Sequence, residues 1–101
     1  MITMFVGLLG QLRLASVNIT SPTSSSSWQV GTTQNITWSA SIISGQQAID
    51  DFTLQLFSGS SYSSSIATGI SSSTRSYSWT IPNTVGTQMR VKIIMNYRLI
   101  E

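Results

Sequence analysis

The chain has 101 residues, which is the size of one domain with one hydrophobic core, and 41% of its residues are hydrophobic. Its 20 serines and 12 threonines therefore belong to a folded chain and not to a disordered tail, because the apolar residues are plentiful. A net charge of +2 without a basic cluster argues against nucleic-acid binding, and the lack of cysteine excludes disulfides.

The first fifteen residues hold a short apolar run, Met4–Leu9, which is followed by Arg13. A secretion signal carries its positive charge before the apolar run, and this run is too short to span a bilayer. We expect residues 1–15 to be an atypical leader or an N-terminal extension that packs on the domain. The predicted domain covers residues 16–94, and residues 95–101 form a divergent C-terminal tail.

Apolar and polar residues alternate with a period of two from Ser16 onward, and this period is typical of β-strands. Pro22 ends the first predicted strand because proline has no N–H for strand pairing. Gly31 supplies a turn before the second clear strand. The residues predicted to face the core in this part of the chain are Val17, Ile19, Trp28, Val30, Ile36 and Trp38.

The rest of the chain continues the same pattern after a polar loop, predicted over residues 39–51. Gly59 ends the third strand, residues 61–75 are weakly patterned with a short edge strand around Ile66 and Ile70, and two clear strands follow. The predicted core positions are Phe52, Leu54, Leu56, Tyr77, Trp79, Ile81, Met89, Val91 and Ile93. Short strands separated by turns predict an all-β antiparallel sandwich of two sheets, with an immunoglobulin or fibronectin-III-like architecture.

Four segments then carry a family resemblance: "ITSPTSSSSWQVGTTQNITWSA", "FTLQLFSG", "IATGISSSTRSYSWTIPN" and "MRVKI". In this order they resemble the N-terminal immunoglobulin-like domain of the Ser/Thr-rich, GPI-anchored Kre/Knh-like family. That family occurs in fungal cell-wall glucan-assembly proteins and in extracellular proteins of bacteria and protists. The resemblance covers Ser16 to Ile93, and it implies a module of the cell surface or cell wall without catalytic residues of its own.

The C-terminal end departs from the family pattern. Family members continue into a last strand, whereas this chain runs "IMNYRLIE", so we expect the last strand to be missing or shortened. The strand Met89–Ile94 would then have an unpaired edge, which invites strand pairing. Three segments could cover it: Ile2–Leu9, a short return of Arg98–Ile100, or a strand of another molecule.

The chain has few residues of the types that commonly act in catalysis. Without histidine and cysteine it lacks the usual nucleophile pairs and soft metal ligands, so we expect no catalytic residue, cofactor or metal site. Asp50 and Asp51 are the only adjacent carboxylates, and on an extended segment their side chains point apart. An accessory domain or fragment of a glycan-processing enzyme that uses these two residues remains an alternative.

Two kinds of surface site are candidates. Asn18 and Asn35 begin the sequons Asn-Ile-Thr and are potential N-glycosylation sites. Phe57, Tyr62 and Arg75 are weak candidates for carbohydrate contact, because a sugar platform needs exposed rings. The expected function is a non-catalytic extracellular module for cell-surface or cell-wall association and spacing, with carbohydrate binding as an alternative. Its partners would be a wall polysaccharide or another surface protein, without nucleic acid or a membrane span.

Overall fold

The computed structural model describes residues 15–83, 86 and 88–100, and these residues form strands and turns without a helix. The leader or extension predicted at the N-terminus lies outside the described residues. The six strands are β1 (Ser16–Ser21), β2 (Thr33–Ser41), β3 (Gln47–Ser58), β4 (Ser61–Ser71), β5 (Ser76–Thr80) and β6 (Met89–Leu99).

The strands form two three-stranded sheets, and every neighbouring pair within a sheet is antiparallel. Sheet A has the order β1-β2-β5, and sheet B has the order β4-β3-β6. The chain crosses from one sheet to the other three times: between β2 and β3, between β4 and β5, and between β5 and β6. The two sheets pack face to face as a β-sandwich, which confirms the predicted fold class.

The core lies between the sheets and contains the apolar residues that the period of two predicts to face inward. Ile36 and Trp38 contribute from sheet A, and Phe52, Leu54 and Ile70 from sheet B. The Trp38 and Phe52 rings are 5.5 Å apart between centroids and tilted by 57°. Burying a large apolar side chain of this kind stabilises the fold by about 1.5–3 kcal/mol.

Register shifts interrupt the strand pairing of sheet B once between β3 and β6 and three times between β3 and β4. Asp50 is the extra residue of β3 against β6, because Ile49 pairs with Tyr97 while Asp51 pairs with Asn96. One of the shifts between β3 and β4 lies between Phe52 and Leu54, where β4 has an extra residue and Gly69 has a φ of +63°. An L-residue with a side chain rarely adopts this φ, so glycine suits the position.

The polar loop predicted over residues 39–51 is too long, since β2 continues to Ser41 and β3 begins at Gln47. Backbone pairing with neighbouring strands stabilises these polar residues as strands, although they lack an apolar pattern. The loop is reduced to residues 42–46. Gln47 closes it, because its buried side-chain oxygen accepts a hydrogen bond of 2.8 Å from the backbone N–H of Ile43.

Two further predictions about single segments need correction. Val30 is 48% exposed in a turn beside Gly31, so it does not face the core, whereas Trp28 is half-buried against it. The weakly patterned region contains an edge strand as predicted, but β4 has 11 residues and is long. Backbone hydrogen bonds to β3 stabilise it without requiring an apolar face.

The strand predicted to end at Ile94 is β6, and it is longer than predicted. No further strand follows it among the described residues, in agreement with the expected loss of the family's last strand. Residues 95–99, assigned there to a tail, continue β6 and pair with the first half of β3. Arg98 lies opposite Ala48 and Leu99 opposite Gln47. The segment Arg98–Ile100 therefore does not turn back, and the expectation that it covers the outer edge of β6 is wrong. That outer edge has no paired strand among the described residues.

Candidate functional site

The outer face of sheet A consists of small uncharged polar side chains. The burial of β1, β2 and β5 alternates residue by residue, so each strand turns one set of side chains away from the core. Every residue of the outward set is a serine, a threonine or an asparagine. The set, here called the hydroxyl face, is Ser16, Asn18, Thr20, Thr33, Asn35, Thr37, Ser39, Ser41, Ser76, Ser78 and Thr80.

Cross-strand hydrogen bonds connect threonines on this face. The hydroxyl oxygens of Thr20 and Thr37 are 2.7 Å apart between β1 and β2. Those of Thr33 and Thr80 are 2.8 Å apart between β2 and β5. Each pair satisfies part of its own hydrogen-bonding capacity and keeps the remainder for solvent or a ligand.

Both sequons lie on the hydroxyl face. Asn18 is opposite Ser39 and Asn35 is opposite Ser78, and both asparagines are exposed. The isoleucine in the middle of each sequon points to the core, as the period of two predicts. The side-chain amides of both asparagines are therefore accessible for glycosylation, and the two remain candidate sites.

The outer face of sheet B carries an aromatic pair at the end near the β3–β4 turn. Phe57 lies opposite Tyr62 on β4 and opposite Arg90 on β6, so the three side chains form one cross-strand row. The two rings are 5.9 Å apart between centroids and nearly perpendicular, at 85°. They do not form the coplanar platform that sugar stacking on two rings requires. The Lys92 ammonium lies 5.5 Å from the centroid of the Phe57 ring.

Arg75 does not join this pair. Its guanidinium carbon is 5.1 Å from the centroid of Phe52, which belongs to the core face. One of its terminal nitrogens donates hydrogen bonds of 2.7 and 2.9 Å to the backbone oxygens of Ser72 and Thr74. Arg75 therefore closes the β4–β5 turn, whereas the cations beside Phe57 are on β6.

The period of two places Arg90 and Lys92 on the solvent-facing side of their strand, because they alternate with the predicted core positions Met89, Val91 and Ile93. That assignment is consistent with their exposure, but it does not reveal their neighbours. The register between β3 and β6 brings them beside Phe57, and no local signal in the sequence encodes that register.

The two aspartates both have partners and do not act together. Asp50 forms an ion pair with Arg98, and an Asp51 side-chain oxygen accepts a hydrogen bond of 2.6 Å from the Asn96 amide. Both contacts lie on the outside of sheet B. Within the described part of the chain, no group of three or more His, Cys, Asp or Glu residues could hold a metal ion.

An open cleft of about 1410 Å³ lies beside the N-terminal half of β6. Its floor is apolar and includes Trp28, Trp79 and Val91, while serine and threonine side chains of the β1–β2 connection form part of its rim. Arg90 is the charged residue among those that line the cleft in the described structure. Arg90 therefore contacts the cleft as well as lying opposite Phe57.

Among the residues that the structure describes, no helix is long and apolar enough to cross a membrane.

Comparison with known proteins identifies the family. The description "Kre9/KNH-like N-terminal Ig-like domain" matches residues 21–98, which is most of the chain. A search of the curated proteins and a search of the solved structures each found no match. The matched range begins at the end of β1 and extends into the last part of β6. The chain therefore belongs to the Kre9/KNH-like family and contains its N-terminal Ig-like domain.

Proposed function

We propose that this chain is a non-catalytic module that associates with the cell wall or cell surface from the outside and holds attached segments at a distance. The hydroxyl face of sheet A carries the proposal. Membership of the Kre9/KNH-like family supports a role related to the cell wall.

The hydroxyl face suits contact with a neutral, hydroxyl-rich wall polymer. Its side chains donate and accept hydrogen bonds, and none of them carries a charge. Because the side chains are short and stand on paired strands, they lose little conformational entropy when a ligand binds. An extended polymer could exchange its hydrogen bonds to water for hydrogen bonds to this face across all three strands.

The proposal of a non-catalytic role has its own support. Asp50 and Asp51 interact with Arg98 and Asn96, respectively, so neither carboxylate is free to face a substrate together with the other. A glycosidase requires two carboxyl groups that face each other across the scissile bond, roughly 5–10 Å apart. Adjacent residues with separate partners on one strand do not supply that arrangement.

The test is retention of the purified chain on isolated yeast cell walls, measured by co-sedimentation. A variant with Asn35→Glu, Ser39→Glu and Ser78→Glu places three charges on the hydroxyl face. We expect it to lose most of its retention, because each carboxylate must be desolvated against a neutral polymer.

The matched control places the same three charges in exposed turns, as Ser24→Glu, Ser44→Glu and Ser73→Glu. It has the same net charge, and we expect it to be retained like the unmodified chain. Circular dichroism verifies that both variants are folded. Equal retention of the two variants, or no retention of the unmodified chain, would contradict the proposal.

A further inference from the structure

We propose that the outer face of sheet B binds an acidic polysaccharide, specifically a polymer of uronic acids, at the end near the β3–β4 turn. The site consists of Phe57, Tyr62, Arg90 and Lys92 and is called the cationic patch below. It lies on the opposite sheet from the hydroxyl face and is independent of the function proposed above.

Charge separation along sheet B is the first support. The carboxylate side chains of the chain are Asp50, Asp51 and Glu101, and the two described ones contact Arg98 and Asn96. Lys92 precedes Asn96 by four residues on β6, a distance of roughly 13 Å along a strand. Among the described residues, therefore, no carboxylate neutralises Arg90 or Lys92. Two adjacent cations without a counter-charge attract an anionic ligand.

The contacts of the two cations show which group would meet the anion. The Lys92 ammonium is already held over the Phe57 ring, at 5.5 Å from the centroid. Arg90 is exposed in the same cross-strand row as Phe57 and makes no ion pair among the described residues. The planar guanidinium of arginine can bind a carboxylate with two parallel hydrogen bonds, which makes Arg90 the principal contact.

Tyr62 alone provides the surface for a sugar ring, and Phe57 supports it from the side. Tyr62 is 58% exposed, and its ring stands perpendicular to that of Phe57. The packing against Phe57 restricts the Tyr62 side chain, so that it presents an apolar surface and a phenol hydroxyl at little entropic cost. A pyranose ring has apolar C–H groups and hydroxyls that match these two features.

The spacing of the cations favours a polymer with one charge per sugar. Arg90 and Lys92 are two residues apart on β6, so their Cα atoms are roughly 7 Å apart. Two cationic side chains on separate positions can each contact a carboxylate of a different sugar, which a polymer of uronic acids supplies. A protein partner would need about 800 Å² with an apolar centre, and the four side chains of the cationic patch do not provide such a surface.

The experiment measures binding of the full chain to polygalacturonate, with the neutral glucan laminarin as the comparison polymer. Arg90→Gln is compared with Arg98→Gln, which removes the same charge from the same strand but from the residue paired with Asp50. We expect Arg90→Gln to weaken binding roughly threefold to fivefold, as loss of an exposed ion pair does, and Arg98→Gln to leave binding unchanged.

Tyrosine substitutions test the aromatic contribution in the same assay. Tyr62→Ala removes the ring in the cationic patch, while Tyr97→Ala removes a ring that is 41% exposed on β6 at the other end of sheet B. We expect Tyr62→Ala to weaken binding roughly fivefold, and Tyr97→Ala to leave it unchanged. Thermal unfolding of each variant shows whether it retains the fold.

Three results would overturn the inference: no binding of polygalacturonate, equal loss with Arg90→Gln and Arg98→Gln, or a loss of laminarin binding with Arg90→Gln as large as the loss of polygalacturonate binding. Equal loss with the two arginine variants would show that the net charge of the chain alone attracts the polymer. Retention on cell walls through the hydroxyl face involves none of these four residues. Failure of one proposal is therefore distinguishable from failure of the other.

Discussion

At the scale of single residues, Trp38 combines deep burial with an unsatisfied polar group. It is 3% exposed and packs on Phe52, and its indole nitrogen has no hydrogen-bond partner among the described residues. Replacement by phenylalanine retains a ring against Phe52 and removes an N–H that costs free energy when it is buried unpaired. The backbone N–H of Trp38, in contrast, donates a hydrogen bond to the backbone oxygen of Arg75, and a substitution of the side chain keeps this donor.

We expect Trp38→Phe to lower the free energy of unfolding by about 1 kcal/mol, because its ring still fills much of the site. The control is Trp38→Ala, for which a loss of about 3–5 kcal/mol is expected from the cavity that it creates. Urea denaturation measures both. A loss for Trp38→Phe as large as that for Trp38→Ala would show that the indole N–H makes a stabilising contact.

At the scale of elements, β6 has one paired side and one unpaired side. Its pairing with β3 continues from Met89 through Leu99, and its outer edge has no strand beside it among the described residues. In an antiparallel strand, alternate amides point to opposite sides. Amide hydrogen exchange rates measured for single residues therefore report on the two sides of β6 separately.

We expect the amides of β6 that point to β3 to exchange slowly at every concentration, including those in residues 95–99. The other amides should exchange fast in dilute solution and become slower as the protein concentration rises, because an open edge pairs with a strand of another molecule. Protection of the outer amides that is independent of concentration would instead indicate a cover from the same chain.

At the scale of the whole molecule, the scarcity of charge determines how stability responds to salt. The chain has eight charged residues, and a single ion pair, Arg98–Asp50, forms among the described residues, where it is exposed to solvent. Such a pair contributes about 1 kcal/mol at most and is screened by salt. The buried apolar core and the backbone hydrogen bonds supply the remaining stability.

The melting temperature should therefore change by less than about 8 °C between low and molar sodium chloride, because a loss of 1 kcal/mol corresponds to roughly 4–8 °C for a domain of this size. Calorimetry measures it, with Arg98→Gln as the control, which should remove most of the remaining salt dependence. A large decrease of the melting temperature in salt would show that charge interactions contribute much more.

The core was largely predictable from the sequence, whereas the candidate sites were predictable only in part. Ile36, Trp38, Phe52 and Leu54 are buried as the period of two predicts, because successive side chains of a strand point to opposite faces. Val30 follows the same period but lies exposed in a turn, since the period is informative only where the backbone is extended. The sequence also did not predict that β2 continues to Ser41 or that β3 begins at Gln47, because backbone pairing does not require apolar side chains.

The sequence by itself determined the β-sandwich, because alternation and turn residues are local properties of the chain, and its motifs carried the resemblance to the family. It also determined that the outside would be rich in hydroxyls. Only the tertiary structure decided which surface residues meet. Strand register places Arg90 beside Phe57 and separates Arg75 from it, and the assembly of β1, β2 and β5 joins their polar residues into one face. Both results depend on pairing between segments far apart in the chain, which local sequence patterns do not encode.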